Sequence, residues 1–415
     1  MMKKRITAVM LCMSLAVSSL FSFTAIGAPV QENDLMNGIT AQETDSSIDI
    51  SAGNTASVDF AVRLFQATQE KGKNTMISPV SVLYALAMTA NGAKGDTLSQ
   101  MEEVLGMPVS ELNDYLHTYA ALLPSEEKCR LDMANSIWFK QGEDFIVNPD
   151  FLQTNADYYN AGVYEGAFDS ETLDEINSWV RDKTDGMIDS ILEEIPEKVV
   201  MYLINAVCFD AQWSEIYSTD QIRQGRFKLE SGDTRETEFM HSEESRYLED
   251  GGAKGFLKYY AGKKYAFAAL LPDESMSVKS YADSLTGEHL MNILDNAQET
   301  TVEVSIPKFK SEYDIEMSKI LKNMGMTDAF SKKADLSGLG ESRDRLFISR
   351  VLHKTYIDVD EKGTKAAGVT AVEICLESAM EEVGKQVFLD RPFLYMIIDC
   401  ENSVPLFIGA MMDVG

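Results

Sequence analysis

The chain has 415 residues, of which 45% are hydrophobic and 25% are charged, an ordinary composition for a globular protein. Its 66 acidic residues outnumber 37 basic ones and give a formal net charge of −29. A surface this negative repels the phosphates of nucleic acids and anionic lipids. The composition therefore argues against nucleic-acid binding and against a peripheral membrane role.

Residues 1–28 have the three parts of a secretory signal peptide. A basic start at positions 3–5 is followed by a mostly apolar run to Ile26, and small residues up to Ala28 precede Pro29. An uncleaved membrane anchor is the alternative, because the apolar run is near spanning length. Scattered serines and the small exit residues favour cleavage. We therefore predict a secreted, extracellular protein.

Residues 29–54 are polar and acidic without periodicity, which predicts a flexible lead-in. From about residue 55 onward the pattern is globular, with no internal repeat and no linker composition. We predict that residues 55–415 form a single domain. Beyond the signal, four widely spaced cysteines remain, and their spacing fits neither a disulfide framework nor a zinc site.

Helices and strands are mixed along this domain. Helical spacing over residues 58–68 predicts one helix, and Ser78-Pro79 begins the next, with serine as a cap. Asn91-Gly92 is predicted to end that helix in a left-handed conformation. Strands are predicted at 134–139, 199–213, 265–271, 301–309, 347–360 and 392–399, and a further helix at 315–324. The run 199–213 is apolar throughout and should be buried on both faces, so the pattern predicts an α+β fold with large sheets.

Enzyme motifs are missing from the sequence. It contains no Gly-x-Ser-x-Gly, no His-Glu-x-x-His and no phosphate loop, and it has only four histidines. Asp358-x-Asp360-x-Lys362 is similar to the start of a calcium loop, but a lysine stands where an oxygen ligand belongs. We predict that the protein is not an enzyme and needs no metal or cofactor. A paired-carboxylate hydrolase is the alternative, since carboxylates are plentiful.

The segment from residue 361 to residue 391 joins two predicted strands and is far longer than a usual connection. One alternate set of its residues is small or apolar: Thr364, Ala366, Gly368, Thr370, Val372, Ile374 and Leu376. The intervening set holds every charge: Lys365, Ala367, Val369, Ala371, Glu373, Cys375 and Glu377. This is the period of a strand with one buried face. The pattern therefore predicts a strand that is held in a loop.

These residues, with others along the chain, make residues 55–415 resemble a serpin. The stretch Glu361-x-Gly363-Thr364-x-Ala366-Ala367-Gly368 resembles the hinge of inhibitory serpins, although Lys365 stands where that hinge usually has Glu. Further similar blocks are Asn74-x-x-x-Ser78-Pro79-x-Ser81, Asn205 followed by Phe209 and Trp213, His353-Lys354, Arg391-Pro392-Phe393 and Pro405-Leu406-Phe407-Ile408-Gly409.

The resemblance implies a fold and a mechanism. The fold would have a large central β-sheet, further sheets, about eight or nine helices, and an exposed reactive-centre loop at about 361–390. The function would be suicide-substrate inhibition of serine proteases, in which the cleaved loop inserts into the central sheet and traps the acyl-enzyme. The alternative is a non-inhibitory serpin that acts as a binding or chaperone-like protein. The small hinge residues favour inhibition.

The resemblance also implies roles for particular residues. The hinge comprises Glu361, Gly363, Thr364, Ala366, Ala367, Gly368 and Thr370. The polar cluster called the shutter, which controls opening of the sheet, comprises Ser78, Ser81, Asn205 and His353. Trp213 would mark the breach, where the loop first enters the sheet. Without the resemblance, Ser78 would be interpreted as a helix cap, and His353 and Trp213 as core residues.

The family's spacing places the cleaved bond at Glu377-Ser378, which suits a Glu-specific serine protease. Shifted registers give Leu376-Glu377 for chymotrypsin-like or subtilisin-like enzymes, Cys375-Leu376 for elastase-like ones, and Met380-Glu381 as a further option. Cys375 would be either exposed and oxidisable or a small spacer. We expect a monomer whose partner is a secreted serine protease, and the acidity argues against activation by heparin-type polyanions.

Overall fold

A six-stranded sheet is built around the long, largely apolar strand that the sequence places at about 199–213. The computed structural model describes residues 33–44, 48–123, 128–142, 145–341, 346–364 and 384–415. The residues from Asn33 to Gly415 form one compact unit.

Nine α-helices lie within the described residues, and none of them is long and apolar enough to cross a membrane. They are α1 (Ser51–Thr68), α2 (Pro79–Ala90), α3 (Gly95–Leu105), α4 (Val109–Leu122), α5 (Pro149–Tyr159), α6 (Ser170–Lys183), α7 (Val278–Ser284), α8 (Gly287–Asp295) and α9 (Ser318–Met324).

Strands are few in the first third of the chain and predominate in the rest of the described residues. They are β1 (Thr75–Ile77), β2 (Cys129–Lys140), β3 (Ile146–Val147), β4 (Gly162–Gly166), β5 (Met201–Gln212), β6 (Ile222–Lys228), β7 (Thr234–Glu249), β8 (Ala253–Tyr259), β9 (Tyr265–Pro272), β10 (Gln298–Pro307), β11 (Phe309–Glu316), β12 (Gly340–Glu341), β13 (Arg350–Val359), β14 (Gly363–Thr364), β15 (Lys385–Phe388), β16 (Phe393–Asp399) and β17 (Val404–Met411). All the strands predicted from the sequence are present; β2, β9 and β10 are longer than predicted, and β5, β13 and β16 are shorter.

The strands form three sheets in the described part of the chain. The six-stranded sheet has the order β11-β13-β14-β5-β2-β4, and β13 also pairs directly with β5. The nine-stranded sheet has the order β1-β17-β16-β9-β8-β7-β10-β15, with β6 on β7, and β12 and β3 form a small pair. The predicted α+β class, the large sheets and the helix number are confirmed. Nearly every residue of β5 is buried, as its apolar sequence predicts.

Helix α2 lies between the two large sheets and is buried on every side, in contact with β2, β5 and β17. Its predicted bounds are confirmed, but two predicted details are wrong. The Ser78 side chain makes no cap hydrogen bond, and Asn91 is right-handed with φ −62°. Gly92 is needed for space instead, because a Cβ there would lie 2.2 Å from the Leu339 side chain.

The predicted helix at 315–324 is too long at its start. Ile315 belongs to β11, where it pairs with His353 of β13, and α9 begins only at Ser318. Residues 315 and 316 are a strand despite their helical spacing, because β11 pairs with β13 along its whole length and this pairing provides hydrogen bonds for its backbone.

The lead-in differs from the predicted flexible stretch. The Leu35 N–H donates to the carbonyl of Val163 in β4 at 2.9 Å, and the Thr44 hydroxyl lies 2.6 Å from Nε2 of His117 in α4. Three apolar side chains of this stretch pack against the core: Leu35, Met36 and Ile39. Residues 33–44 are thus bound to the folded body, because these side chains bury apolar surface there. Helix α1 also begins earlier than predicted.

Candidate functional site

The beginning of the loop segment already lies inside the six-stranded sheet. Gly363 and Thr364, as β14, pair antiparallel with Gln212 and Ala211 of β5. On the other side, Thr364 lies opposite Val359 of β13. Glycine is required at 363, because a Cβ would lie 2.0 Å from the carbonyl oxygen of Ala211. The two-residue strand therefore separates β5 from β13 at this end of the sheet.

Beyond β14 the gap between its neighbours closes. Residues 350–355 of β13 pair directly and in parallel with residues 202–207 of β5. Thr364 is 0% exposed, and its hydroxyl lies 2.6 Å from the hydroxyl of Tyr260. The structure thus places Thr364 on the inward face, the face that the alternation assigns to it.

Trp213 and Tyr217 hold the backbone that leads into β14. The indole Nε1–H of Trp213 donates to the carbonyl of Asp360 at 2.9 Å. The backbone N–H of Trp213 donates to the carbonyl of Lys362 at 2.8 Å, and that of Tyr217 donates to the carbonyl of Glu361 at 2.9 Å. Residues 360–362, which we call the stem, are therefore bound through their backbone at the entrance to the gap.

The side chain of Glu361 is anchored as well. Nζ of Lys308 lies 2.8 Å from the Glu361 carboxylate and 2.9 Å from that of Glu238. The hydrogen bond from Lys308 lowers the pKa of Glu361, so the ion pair persists at neutral pH. Lys308 thus joins the stem to β7.

The four polar residues Ser78, Ser81, Asn205 and His353 meet where β5 and β13 pair directly. All four are at most 1% exposed. The Ser78 N–H donates to Nε2 of His353 at 3.0 Å, so the ring carries its proton on Nδ1 and donates to Asn205 Oδ1 at 2.6 Å. The Asn205 amide donates to the Ser81 carbonyl at 2.7 Å and also to Asn135. The cluster therefore joins α2 to both strands that border the gap.

The sequence was compared with known protein families. Residues 55–414 match the family described as "Serpin (serine protease inhibitor)". The chain belongs to the serpin family.

Individual serpins resemble the chain over most of its length. Serpin B9 of Homo sapiens is 32% identical and leukocyte elastase inhibitor of Bos taurus is 31% identical. The alignments cover 85% and 87% of this chain, and 97% and 98% of the relatives. The crystal structure of the thermophilic serpin tengpin in the native state is 47% identical with a TM-score of 0.89, covering 92% of this chain and all of that one.

The predicted serpin site residues fall into two groups. The shutter residues, Trp213 and the first hinge residues Glu361, Gly363 and Thr364 are described, and all of them lie along the border of β5 and β13 or at its entrance. The remaining predicted residues lie outside the described residues: Ala366, Ala367, Gly368, Thr370, Cys375, Leu376, Glu377 and Ser378.

The sequence analysis did not predict three residues that contact these site residues. Asn135 of β2 accepts a hydrogen bond from Asn205, Tyr260 contacts Thr364, and Lys308 binds Glu361. Each is an ordinary residue in its own strand or turn, and only pairing between distant segments brings it to the site. Asn135 alone had a local signal, as a polar residue in a run of largely apolar strand residues.

Burial lowers the pKa of His353 from the ordinary 6.5 to about 3. Between these values the unfolded chain binds a proton at this histidine and the folded chain does not. The buried, neutral imidazole of His353 therefore makes its full contribution to the free energy of unfolding above pH 6.5. We expect it to be lost as the pH falls from 6.5 toward 3, by about 1.4 kcal/mol per pH unit.

His353→Gln tests this expectation by urea unfolding at several pH values. The variant should be less stable at pH 7 and should lose less free energy of unfolding between pH 6.5 and 4 than the wild type. Ser81→Ala, which disturbs the same buried cluster without removing a titratable group, is the control and should keep the wild-type slope. An unchanged slope in His353→Gln would contradict a buried neutral imidazole.

Proposed function

We propose that this protein is a suicide-substrate inhibitor of extracellular serine proteases. The observation that carries the proposal is β14, a two-residue strand already inserted between β5 and β13 in the register that the rest of the loop would follow. A strand added there would pair on both sides, replacing one parallel contact between β5 and β13 by two antiparallel ones.

Extending the register of β14 brings each inward residue of the loop to a defined position. Gly368 would lie opposite Val207, and Thr370 would lie between Asn205 and His353. Insertion must break the hydrogen bond between those two side chains, and the Thr370 hydroxyl, which both donates and accepts, could then bond to each of them. This match supports the shutter and hinge roles that the serpin resemblance implies.

The same register supports a cleaved bond near Glu377-Ser378. Leu376 would lie opposite Val199, just past the first residue of β5 at Met201. The strand from Thr364 to Leu376 would thus fill the sheet from one end to the other. That strand would be about 40 Å long, at the rise of about 3.3 Å per residue in a strand.

The proposed chemistry is a serine-protease cycle that stops at the acyl-enzyme intermediate. The protease serine oxygen attacks the carbonyl carbon of Glu377, an ester bond forms, and the amine of Ser378 leaves with a proton. Water would normally hydrolyse the ester. Insertion carries the bound protease across the sheet first, and distortion of its active site then stops that hydrolysis. The inhibitor acts here as a substrate, not as an enzyme.

The partner is a secreted serine protease with Glu, chymotrypsin-like, subtilisin-like or elastase-like specificity. Leukocyte elastase inhibitor, one of the relatives, is named for an elastase, which supports the elastase-like option at Cys375-Leu376. The basic, apolar and small-residue pattern of residues 1–28 supports export by a signal peptide. The net charge of −29 would draw in proteases with basic surfaces and disfavour polyanions such as heparin.

Incubation with a panel of these proteases tests the proposal. We expect a complex that survives SDS on a gel with at least one of them, and a released carboxy-terminal fragment whose mass begins at Ser378. A fragment that begins elsewhere would move the cleaved bond to Leu376, Cys375 or Met380. If every protease only cuts the loop or leaves it intact, the protein is a non-inhibitory serpin and the proposal is wrong.

A further inference from the structure

A buried ammonium group lies beside the aromatic residues at the entrance to the gap. Lys258 of β8 has a side chain only 4% exposed, and its Nζ lies 2.7 Å from the carboxylate of Glu244 in β7. The same Nζ lies 4.4 Å from the ring centre of Tyr217 and 5.4 Å from that of Trp213. These are cation–π distances, and they place one positive charge against both rings.

The surrounding groups keep Lys258 charged. The Ser242 hydroxyl donates to the Glu244 carboxylate at 2.7 Å and lies 3.2 Å from the Tyr217 hydroxyl. Burial acts to lower the pKa of Lys258, but Tyr217 and Glu244 together raise it above the ordinary lysine value. A charge buried in this way is costly unless it is paired, so the position of each partner is closely constrained.

This ion pair connects to the stem through the two aromatic residues. Trp213 is stacked on Tyr260 at 4.5 Å, and it binds the stem through its indole and its backbone N–H. Tyr217 binds the stem through its backbone N–H. A continuous set of contacts therefore runs from Glu244 and Lys258, through two rings, to the backbone from which β14 begins.

We propose that Lys258 is a positioning residue for loop insertion: its ammonium holds Trp213 and Tyr217 where they keep the stem in register with β5. This inference rests on the proposed inhibitory function. The inserting strand grows from the stem, so a loosened stem delays insertion. A delay leaves the acyl-enzyme more time to hydrolyse and release active protease.

Lys258→Met, which keeps the length of the side chain and removes its charge, tests the role. We expect the number of inhibitor molecules consumed per trapped protease to rise by on the order of tenfold, the scale of a lost buried ionic contact. The rate at which the protease attacks the loop should not change. Glu244→Gln should raise the same ratio. Lys258→Arg, which keeps the charge, should give a ratio closer to that of the wild type than Lys258→Met does.

Lys264→Met is the matched control, because it removes a second poorly exposed lysine, paired with buried Asp399 at 3.1 Å, that lies next to β9. It should lower the unfolding temperature without changing the ratio of inhibitor consumed to protease trapped. The inference is wrong if Lys258→Met lowers only the unfolding temperature, as a purely structural lysine would.

A second measurement separates this inference from the proposed function. If the wild type traps no protease, the proposed function fails. The rate at which the loop inserts after it is cut, followed as the rise of the unfolding temperature with time, then decides the role of Lys258. Slower insertion in Lys258→Met supports that role, and equal rates overturn it.

Discussion

Replacing Thr364 with arginine should convert the protein from an inhibitor into a substrate of its target protease. Thr364 is completely buried between β5 and β13, and its hydroxyl contacts that of Tyr260. An arginine there must bury an unpaired charge or stay outside the gap, which costs several kcal/mol. Since each 1.4 kcal/mol slows a step about tenfold, we expect the inhibitor consumed per trapped protease to rise by at least about tenfold.

Titration of a fixed amount of protease with increasing inhibitor measures this ratio. Val369→Arg is the matched control, because it adds the same charge to the set of residues that the alternation assigns to the exposed face. That variant should inhibit nearly as well as the wild type. Equal ratios for Thr364→Arg and the wild type would refute the assignment of residue 364 to the inserted face.

Cutting the loop without trapping a protease should make the protein much more stable. A fully inserted strand replaces the direct pairing of residues 350–355 with residues 202–207 and adds on the order of ten backbone hydrogen bonds, each worth about 1 kcal/mol. A gain of 1 kcal/mol shifts the unfolding temperature of a large domain by about 2 °C. We therefore expect a rise of about 20 °C.

Scanning calorimetry before and after limited proteolysis at the loop provides the measurement. Cut Thr364→Arg protein is the internal control, and its unfolding temperature should rise much less because its hinge resists insertion. If cutting leaves the wild-type temperature unchanged, the sheet does not accept the loop, and the proposed trapping mechanism loses its driving force.

Local sequence patterns predicted burial correctly where the side chains of one strand follow a regular apolar pattern. The apolar run of β5 predicted a strand that is buried on both faces, as the structure shows. The alternation that begins at Thr364 predicted an inward face, and Thr364 is completely buried. Around α2 the local patterns failed twice, since the Ser78 side chain makes no cap hydrogen bond and Asn91 is not left-handed. Ser78 gives its N–H to His353, and Gly92 makes room for Leu339, and both partners lie far away in the chain.

Local sequence patterns alone predict the class of the fold, the hinge composition and the period of the loop, because periodicity and small side chains are properties of consecutive residues. The insertion of β14 between β5 and β13, the hydrogen bond from Asn205 to Asn135 and the contact of Lys258 with Trp213 are visible only in the folded structure. These features depend on the register between distant strands. No single segment encodes such a register, because it follows from the pairing of all strands in both large sheets.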